Sequence, residues 1–267
     1  RVLMLSHMRG HLCDMDRLMQ ICDAAGITVI EDCAHTMGAA WNGVASGRQG
    51  AVGCYSCQTY THVNSGEGGL LVTDDAEVAA RAIMLSGSYM LYERHLASPA
   101  PEVFEAVKYE TPNISGRMDN LRAAILRPQL RDLDAQVARW NERYRVIEAG
   151  LRDLPGLTLV ERPAAESYVG SSIQFLLLDW SAQDLQAVIA RCGARGVELK
   201  WFGTPEPVAF TSRYDSWRYA EPQSLPESDR ILAGIVDMRV PLTFSLADCA
   251  QIAHIIRAEV AAVYQAP

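Results

Sequence analysis

The stretch Ile27-Thr28-Val29-Ile30-Glu31-Asp32-Cys33-Ala34-His35 decides the fold. Ile27–Ile30 is a continuous β-branched run with no polar alternation, which marks a strand covered on both faces. Strands of that kind belong to parallel sheets flanked by helices. Such sheets place ligand groups just beyond the carboxyl ends of their strands. Glu31 and Asp32 stand at that end. A carboxylate there holds a cationic ring nitrogen or a metal, or it caps the next segment, and spacing alone leaves these open.

The pattern extends outward from this strand. Val2–Leu5 reads as a short buried strand. Across residues 14–25, Met15, Leu18, Met19 and Cys22 recur at helical spacing, and Gly26 supplies the stop. Gly53–Cys57 and Leu70–Thr73 read as further strands. Asp74-Asp75 then opens a helix to about Leu85, with its acidic residues at the positive end. This β-α-β-β-α order predicts an α/β fold with a mostly parallel sheet. A long helix is expected over 118–151, kinked or split at Pro128. The turn-rich residues 153–165 predict a boundary. They divide the chain into a large domain, 1–152, and a small C-terminal α+β domain, 153–267. In the small domain, strands are expected at 172–179 and 196–201, and helices at 181–192, 226–236 and 246–264.

The chain has 267 residues, 49% of them hydrophobic and 21% charged, with a net charge of -8. That composition belongs to a globular protein and argues against a disordered chain or a nucleic-acid or acidic-membrane surface. Apolar runs stay short of the roughly 18 residues a membrane helix needs. With no secretory signal visible, a cytoplasmic location is expected. Seven cysteines are scattered along the chain, which suits reduced, mostly buried thiols. Cys54 and Cys57 form one Cys-x-x-Cys pair without a second ligand pair, so no metal is expected. Among 24 basic residues only Lys108 and Lys200 are lysines, so an amine has just two sources.

A second stretch carries chemistry. Ser56 leaves a strand ahead of the glycine turn Gly66-Glu67-Gly68-Gly69, an arrangement that forms an anion pocket. His62 lies between them and reads either as a hydrogen-bonded structural histidine or as a base.

Several motifs occur together in order. They are Met8-Arg9-Gly10, Glu31-Asp32-Cys33-Ala34-His35 with Gly38-Ala39, Tyr55-Ser56-Cys57, Gly66–Gly69, and Gly116-Arg117-Met118-Asp119-Asn120. Together they resemble the DegT/DnrJ/EryC1/StrS sugar aminotransferase family over nearly the whole chain. The resemblance implies a fold-type-I pyridoxal-phosphate (PLP) enzyme, with a large cofactor domain and a small C-terminal domain. It implies amino transfer to a keto-sugar or related cyclic ketone, in sugar or antibiotic biosynthesis, at a dimer interface. Residue by residue, Asp32 matches the partner of the pyridine nitrogen, and that ion pair keeps the ring an electron sink. His35 matches a contact to the ring or its 3-hydroxyl, and Ser56 a phosphate ligand. Arg117 matches the arginine of an Asn-x-Arg-Met stretch. That stretch's Asn normally reaches the neighbouring subunit's phosphate. Ser115 takes its place here, with Asn113 close by.

The chain departs from the pattern at Thr61, where the family has the Schiff-base lysine. A hydroxyl cannot replace an amine in that bond or in the 1,3-proton shift. The family pattern also includes a long stretch before the strand that begins here. These departures set four expectations side by side. One is an aminotransferase of the family altered at Thr61. Another is an accessory subunit that pairs with a lysine-bearing homologue. A third is a pyridoxamine-phosphate (PMP) dependent sugar dehydratase with His62 as base. A scaffold that has lost its cofactor is a fourth. A homodimer or a homologous partner subunit is expected throughout.

Overall fold

The computed structural model describes residues 1–88, 90–204, 206, 214–221 and 223–264. The chain opens with β1 (Val2–Ser6), α1 (Met15–Ala24), β2 (Thr28–Asp32) and a two-residue hairpin pair, β3 (Ala40–Trp41) and β4 (Val44–Ala45). Then come β5 (Val52–Ser56), β6 (Gly69–Val72), α2 (Ala76–Leu85) and α3 (Pro101–Val107). Two consecutive helices follow, α4 (Asn120–Arg131) and α5 (Leu133–Leu151). The remainder is β7 (Thr158–Leu159), β8 (Glu166–Ser167), β9 (Ser172–Leu176), α6 (Ala182–Ala194), β10 (Lys200–Trp201), α7 (Pro226–Gly234), β11 (Ile235–Arg239) and α8 (Leu246–Tyr264).

By its contacts the chain divides into two compact units, residues 1–137 with 162–169, and residues 138–161 with 170–267. The division falls inside α5. The turn-rich stretch 153–165 contributes to both units, since 162–169 returns to the first.

The first unit is built on a sheet of order β1-β2-β5-β6. β1, β2 and β5 run parallel, and β6 closes the edge antiparallel to β5. The mostly parallel sheet read from the sequence is therefore present. Register aligns Ser6 with Asp32 and Asp32 with Cys54. The carboxyl ends of three strands thus share one edge, where the following loops emerge. Asp14 caps α1 by accepting the Arg17 amide, and Asp75 caps α2 by accepting those of Glu77 and Val78. Each carboxylate satisfies donors that the helix itself cannot.

Pro128 does not split the expected long helix. It stands inside α4, and the break comes at Asp132, whose amide donates to the Pro128 carbonyl. The donor that proline removes would have met the carbonyl of Ala124, an exposed residue, where a missing partner costs less than it would in the core.

The second unit carries an antiparallel sheet of order β10-β11-β9-β7. Its buried side chains include Ile173, Phe175, Val188, Val236 and Ile256. Helices α6 and α8 pack together and are tied by Glu259, which accepts from Arg191 (2.6 Å) and Arg195 (2.7 Å). The helix expected over 226–236 ends at Gly234, and β11 begins at once. The strand expected over 196–201 shrinks to two residues. Backbone pairing of β11 with β9, in register Val236 to Phe175, overrides the helical reading of Ile235-Val236.

Candidate functional site

The shared strand edge places Glu31 and Asp32 on opposite faces of β2, because successive strand side chains alternate. Glu31 is fully buried. Its carboxylate accepts from the amides of Gly47 (2.8 Å), Gln49 (2.9 Å) and Gly50 (2.7 Å), and it lies 3.0 Å from His7 Nε2. Burial pushes its pKa up, but the His7 contact and the three amides outweigh this and hold it below the usual carboxylate range. Cys33 lies near this pair, and burial pushes its thiol up to about 11. His7, Glu31 and Cys33 are metal-type donors, but Glu31 already meets four partners and Cys33 is held as a thiol. The arrangement is a clamp for the turn 46–50. Tyr55 adds to it by donating to the Ser46 carbonyl. Glycine is obligatory in this turn, since a Cβ on Gly50 would stand 2.6 Å from the Val29 carbonyl oxygen.

Asp32 is less engaged. Its Oδ2 accepts from Ser6 Oγ (2.8 Å) and its Oδ1 from the Ala34 amide (3.1 Å). The side chain is half-buried. His35 lies in the loop that follows, with Nδ1 3.2 Å from the Arg9 amide. Arg9 has φ +56°, a left-handed conformation that costs a non-glycine residue energy.

Ser56 ends β5, and its hydroxyl accepts the Gln58 amide at 3.2 Å. Thr61 turns its Oγ1 inward, 2.8 Å from the Gln58 carbonyl and 3.2 Å from that of Val63. His62 Nδ1 meets the Met37 carbonyl at 2.9 Å. Val63 is buried with Met37, Cys57 and Leu126, and Met118 packs beside them. Gln129 of α4 completes the anchoring. It donates to the Asn64 carbonyl (2.8 Å) and accepts the Asn64 amide (3.0 Å), as a paired strand would.

Asn113, Ser115 and Arg117 form an exposed turn across the end of α2. Asn113 Oδ1 accepts the Ser115 amide (3.0 Å), and the Gly116 amide donates to the Leu85 carbonyl (3.0 Å). The Arg117 guanidinium lies over Gly87, where a Cβ would come within 2.9 Å of it. Asp32 and Ser56 thus end neighbouring strands of the sheet, and His35, Thr61 and His62 lie in the loops that follow them. The three residues of 113–117 make their own local contacts. Lys108 pairs with Glu105 (2.6 Å), and Lys200 Nζ sits 4.7 Å from the centre of the Phe202 ring in the second unit.

Three parts of this arrangement escape a reading of side chains along the sequence: the Glu31 clamp, the strained Arg9 and the Gln129–Asn64 clasp. The clamp's partners are mostly backbone amides. Its one sequence signal is the glycine pair Gly47 and Gly50 following a strand that ends in two acids.

Comparison with known proteins places this geometry in a lineage. The family model described as DegT/DnrJ/EryC1/StrS aminotransferase family matches residues 1–257. The chain is 37% identical over 142 residues to L-glutamine:scyllo-inosose aminotransferase of Streptomyces griseus, covering 52% of this chain and 32% of that protein. It is 33% identical over 166 residues to dTDP-3-amino-3,4,6-trideoxy-alpha-D-glucose transaminase of Streptomyces venezuelae, covering 60% and 39%. These matches span about a third of the length of the curated relatives. Among solved structures, the aminotransferase TlmJ from Streptoalloteichus hindustanus aligns with a TM-score of 0.81 at 23% identity, covering 99% of this chain and 67% of that one. AtS13 from Actinomadura melliaura aligns at 0.78 and 25%, covering 97% and 66%. The chain belongs to the DegT/DnrJ/EryC1/StrS aminotransferase family.

Proposed function

We propose that this family member binds PMP or PLP without a covalent link, at the carboxyl edge of its first sheet, and serves amino transfer to a keto-sugar or cyclic ketone. The observation that carries the reading is the pair Asp32 and Thr61. Each Asp32 oxygen accepts one hydrogen bond and keeps a lone pair. That valence suits a pyridinium N–H. Thr61 has no amine, and its hydroxyl faces two carbonyls of its own turn. The residues present therefore fit the cofactor non-covalently and do not fit its attachment.

When bound, the cofactor supplies an electron sink for the carbon that carries the amine. The chain's own residues hold and orient it. Asp32 would keep the ring nitrogen protonated, and Ser56 would donate a hydrogen bond to a phosphate oxygen while accepting the Gln58 amide. His35 contacts the ring or its 3-oxygen. Arg117, with Ser115 and Asn113, is exposed and suits a contact to a neighbouring subunit. That subunit is a second copy or a lysine-bearing homologue, and the homologue would return the missing amine to the assembly. The setting is sugar or antibiotic biosynthesis in the cytoplasm, and among the described residues no helix is long and apolar enough to cross a membrane.

A second reading is favoured by one contact. The Met37 carbonyl fixes the His62 ring beside the vacant lysine position. His62 would then act as the base of a PMP-dependent sugar dehydratase.

The test is Thr61→Lys against the unaltered chain, each incubated with PLP, reduced with borohydride and weighed by mass spectrometry. The variant is expected to retain one PLP covalently and the unaltered chain none, while isothermal calorimetry finds PMP bound to the unaltered chain. Absence of PMP binding, with no fixation in the variant, would sink the reading.

A further inference from the structure

We infer that Ser6 is a positioning residue, whose hydroxyl holds the plane of the Asp32 carboxylate and so aims its remaining lone pairs at a cationic ring N–H. Register sets Ser6 of β1 opposite Asp32 of β2, and Asp32 opposite Cys54 of β5. Residues opposite one another in a sheet point to the same face, so hydroxyl, carboxylate and thiol form one row across the carboxyl ends of three strands. The backbone under the row is held from both sides. The His7 amide donates to the Asp32 carbonyl (3.1 Å), and the Cys33 amide donates to the Cys54 carbonyl (2.8 Å).

What the backbone leaves free is the carboxylate itself. The terminal torsion of aspartate joins an sp³ to an sp² carbon and is broad, so the plane swings unless donors hold it. One donor meets each oxygen. The Ala34 amide meets Oδ1 (3.1 Å), and Ser6 Oγ meets Oδ2 (2.8 Å). A donor on one oxygen lets the other turn about it, whereas a donor on each selects one plane. Among the described residues, Ser6 is the only side chain that donates to Asp32. Cys54, on the other flank, does not replace it. Burial, and then the Asp32 charge, push the Cys54 thiol up, and a thiol is a weak donor.

Without the Ser6 hydroxyl, a ligand has to order the carboxylate as it binds, and that costs affinity. The hold on the carboxylate stands on geometry alone, whereas the cationic ring N–H at which it is aimed rests on the function proposed above.

The experiment compares Ser6→Ala, which deletes the hydroxyl, with Ser6→Thr, which keeps it. Without ligand, the Ala34 amide is the reporter, because it shares the carboxylate with Ser6. In proton–nitrogen correlation spectra its signal is expected to move in Ser6→Ala and to return in Ser6→Thr. With ligand, the probe is PMP carrying nitrogen-15 in its ring. Calorimetry is expected to find its affinity lowered about fivefold in Ser6→Ala and restored in Ser6→Thr. The ring-nitrogen signal should shift in Ser6→Ala alone. If Ser6→Ala misfolds, Ser6→Val takes its place against Ser6→Thr, since the two differ by a methyl for a hydroxyl. An Ala34 signal that ignores loss of the hydroxyl, or moves equally in Ser6→Thr, overturns the inference. PMP bound equally by every variant, with one ring-nitrogen signal, also overturns it and leaves the cofactor reading intact. If the unaltered chain binds no PMP while the Ala34 signal follows the hydroxyl, the cofactor reading fails and the hold on the carboxylate stands.

Discussion

Glu31 and Asp32 are consecutive carboxylates on one strand, yet they serve different masters. Glu31 points inward, is fully buried, and meets three backbone amides and a histidine. Asp32 points the other way, half-buried, with two partners and remaining lone pairs. A carboxylate saturated by its own chain is a structural part. One left partly unsatisfied at a strand edge is able to receive something else. Residue type is shared, so the difference lies in the number of donors each meets.

The largest expected effect tests the inward side. Glu31→Ala strips the turn 46–50 of its acceptor and leaves His7 and three amides buried without it. A loss of ~3–5 kcal/mol is expected in urea denaturation. A loss below ~1 kcal/mol would break the contrast, because Glu31 would then hold little more than an ordinary surface group does.

Asp32→Asn tests the outward side. Stability should change by less than ~1 kcal/mol, whereas PMP affinity measured by calorimetry should fall about tenfold or more, equivalent to ~1.4 kcal/mol. Unchanged affinity would mean that the open lone pairs serve no ligand.

Acid sharpens the contrast. The Glu31 pKa is lowered in the folded chain, so its contribution is fully present above the unfolded carboxyl value, about 4.3, and is lost as pH falls through the lower folded value. Urea midpoints taken from neutral pH to about pH 3 should drop more for the unaltered chain than for Glu31→Gln. Parallel curves would assign acid sensitivity elsewhere.

The smallest effect concerns the neutral anchoring of the neighbouring loop. Gln129→Met keeps the stem and deletes the clasp on Asn64, at a cost of ~1 kcal/mol. Hydrogen exchange should rise at residues 61–65 and stay level in β2. A rise in both would show that the loop and the strand open together.

Much of this was legible in the chain. The β-branched run before Glu31 announced a parallel strand, and the Asp74-Asp75 pair announced a helix start, where Asp75 is indeed the cap. Ser181 likewise caps α6. The unreadable parts have a common cause. Three of the four partners of Glu31 are backbone amides 16 to 19 residues away, which no side-chain pattern encodes. β11 was hidden because Pro226 starts a helix whose apolar spacing continues into Ile235-Val236. Pairing with β9, some sixty residues earlier in the chain, and with β10 on the other side makes those residues a strand. Pro128 failed as a breaker because the carbonyl it orphans belongs to an exposed residue. The positions of Asp32, Ser56 and Thr61 were readable as motifs, but the carbonyls that claim the Thr61 hydroxyl were not.

One feature bears on synthesis. The first unit is discontinuous: Ala40 and Trp41 of β3 pair with Ser167 and Glu166 of β8, which lie more than a hundred residues later in the chain. A ribosome releases the chain from its amino end, so β3 must wait while residues 138–161, which belong to the other unit, emerge first. The parallel core of β1, β2 and β5 needs no such delay, because its last strand ends at Ser56. The sheet thus has its strands before the stitch has its partner, and a contact closed over so long a loop adds to the entropy cost of folding.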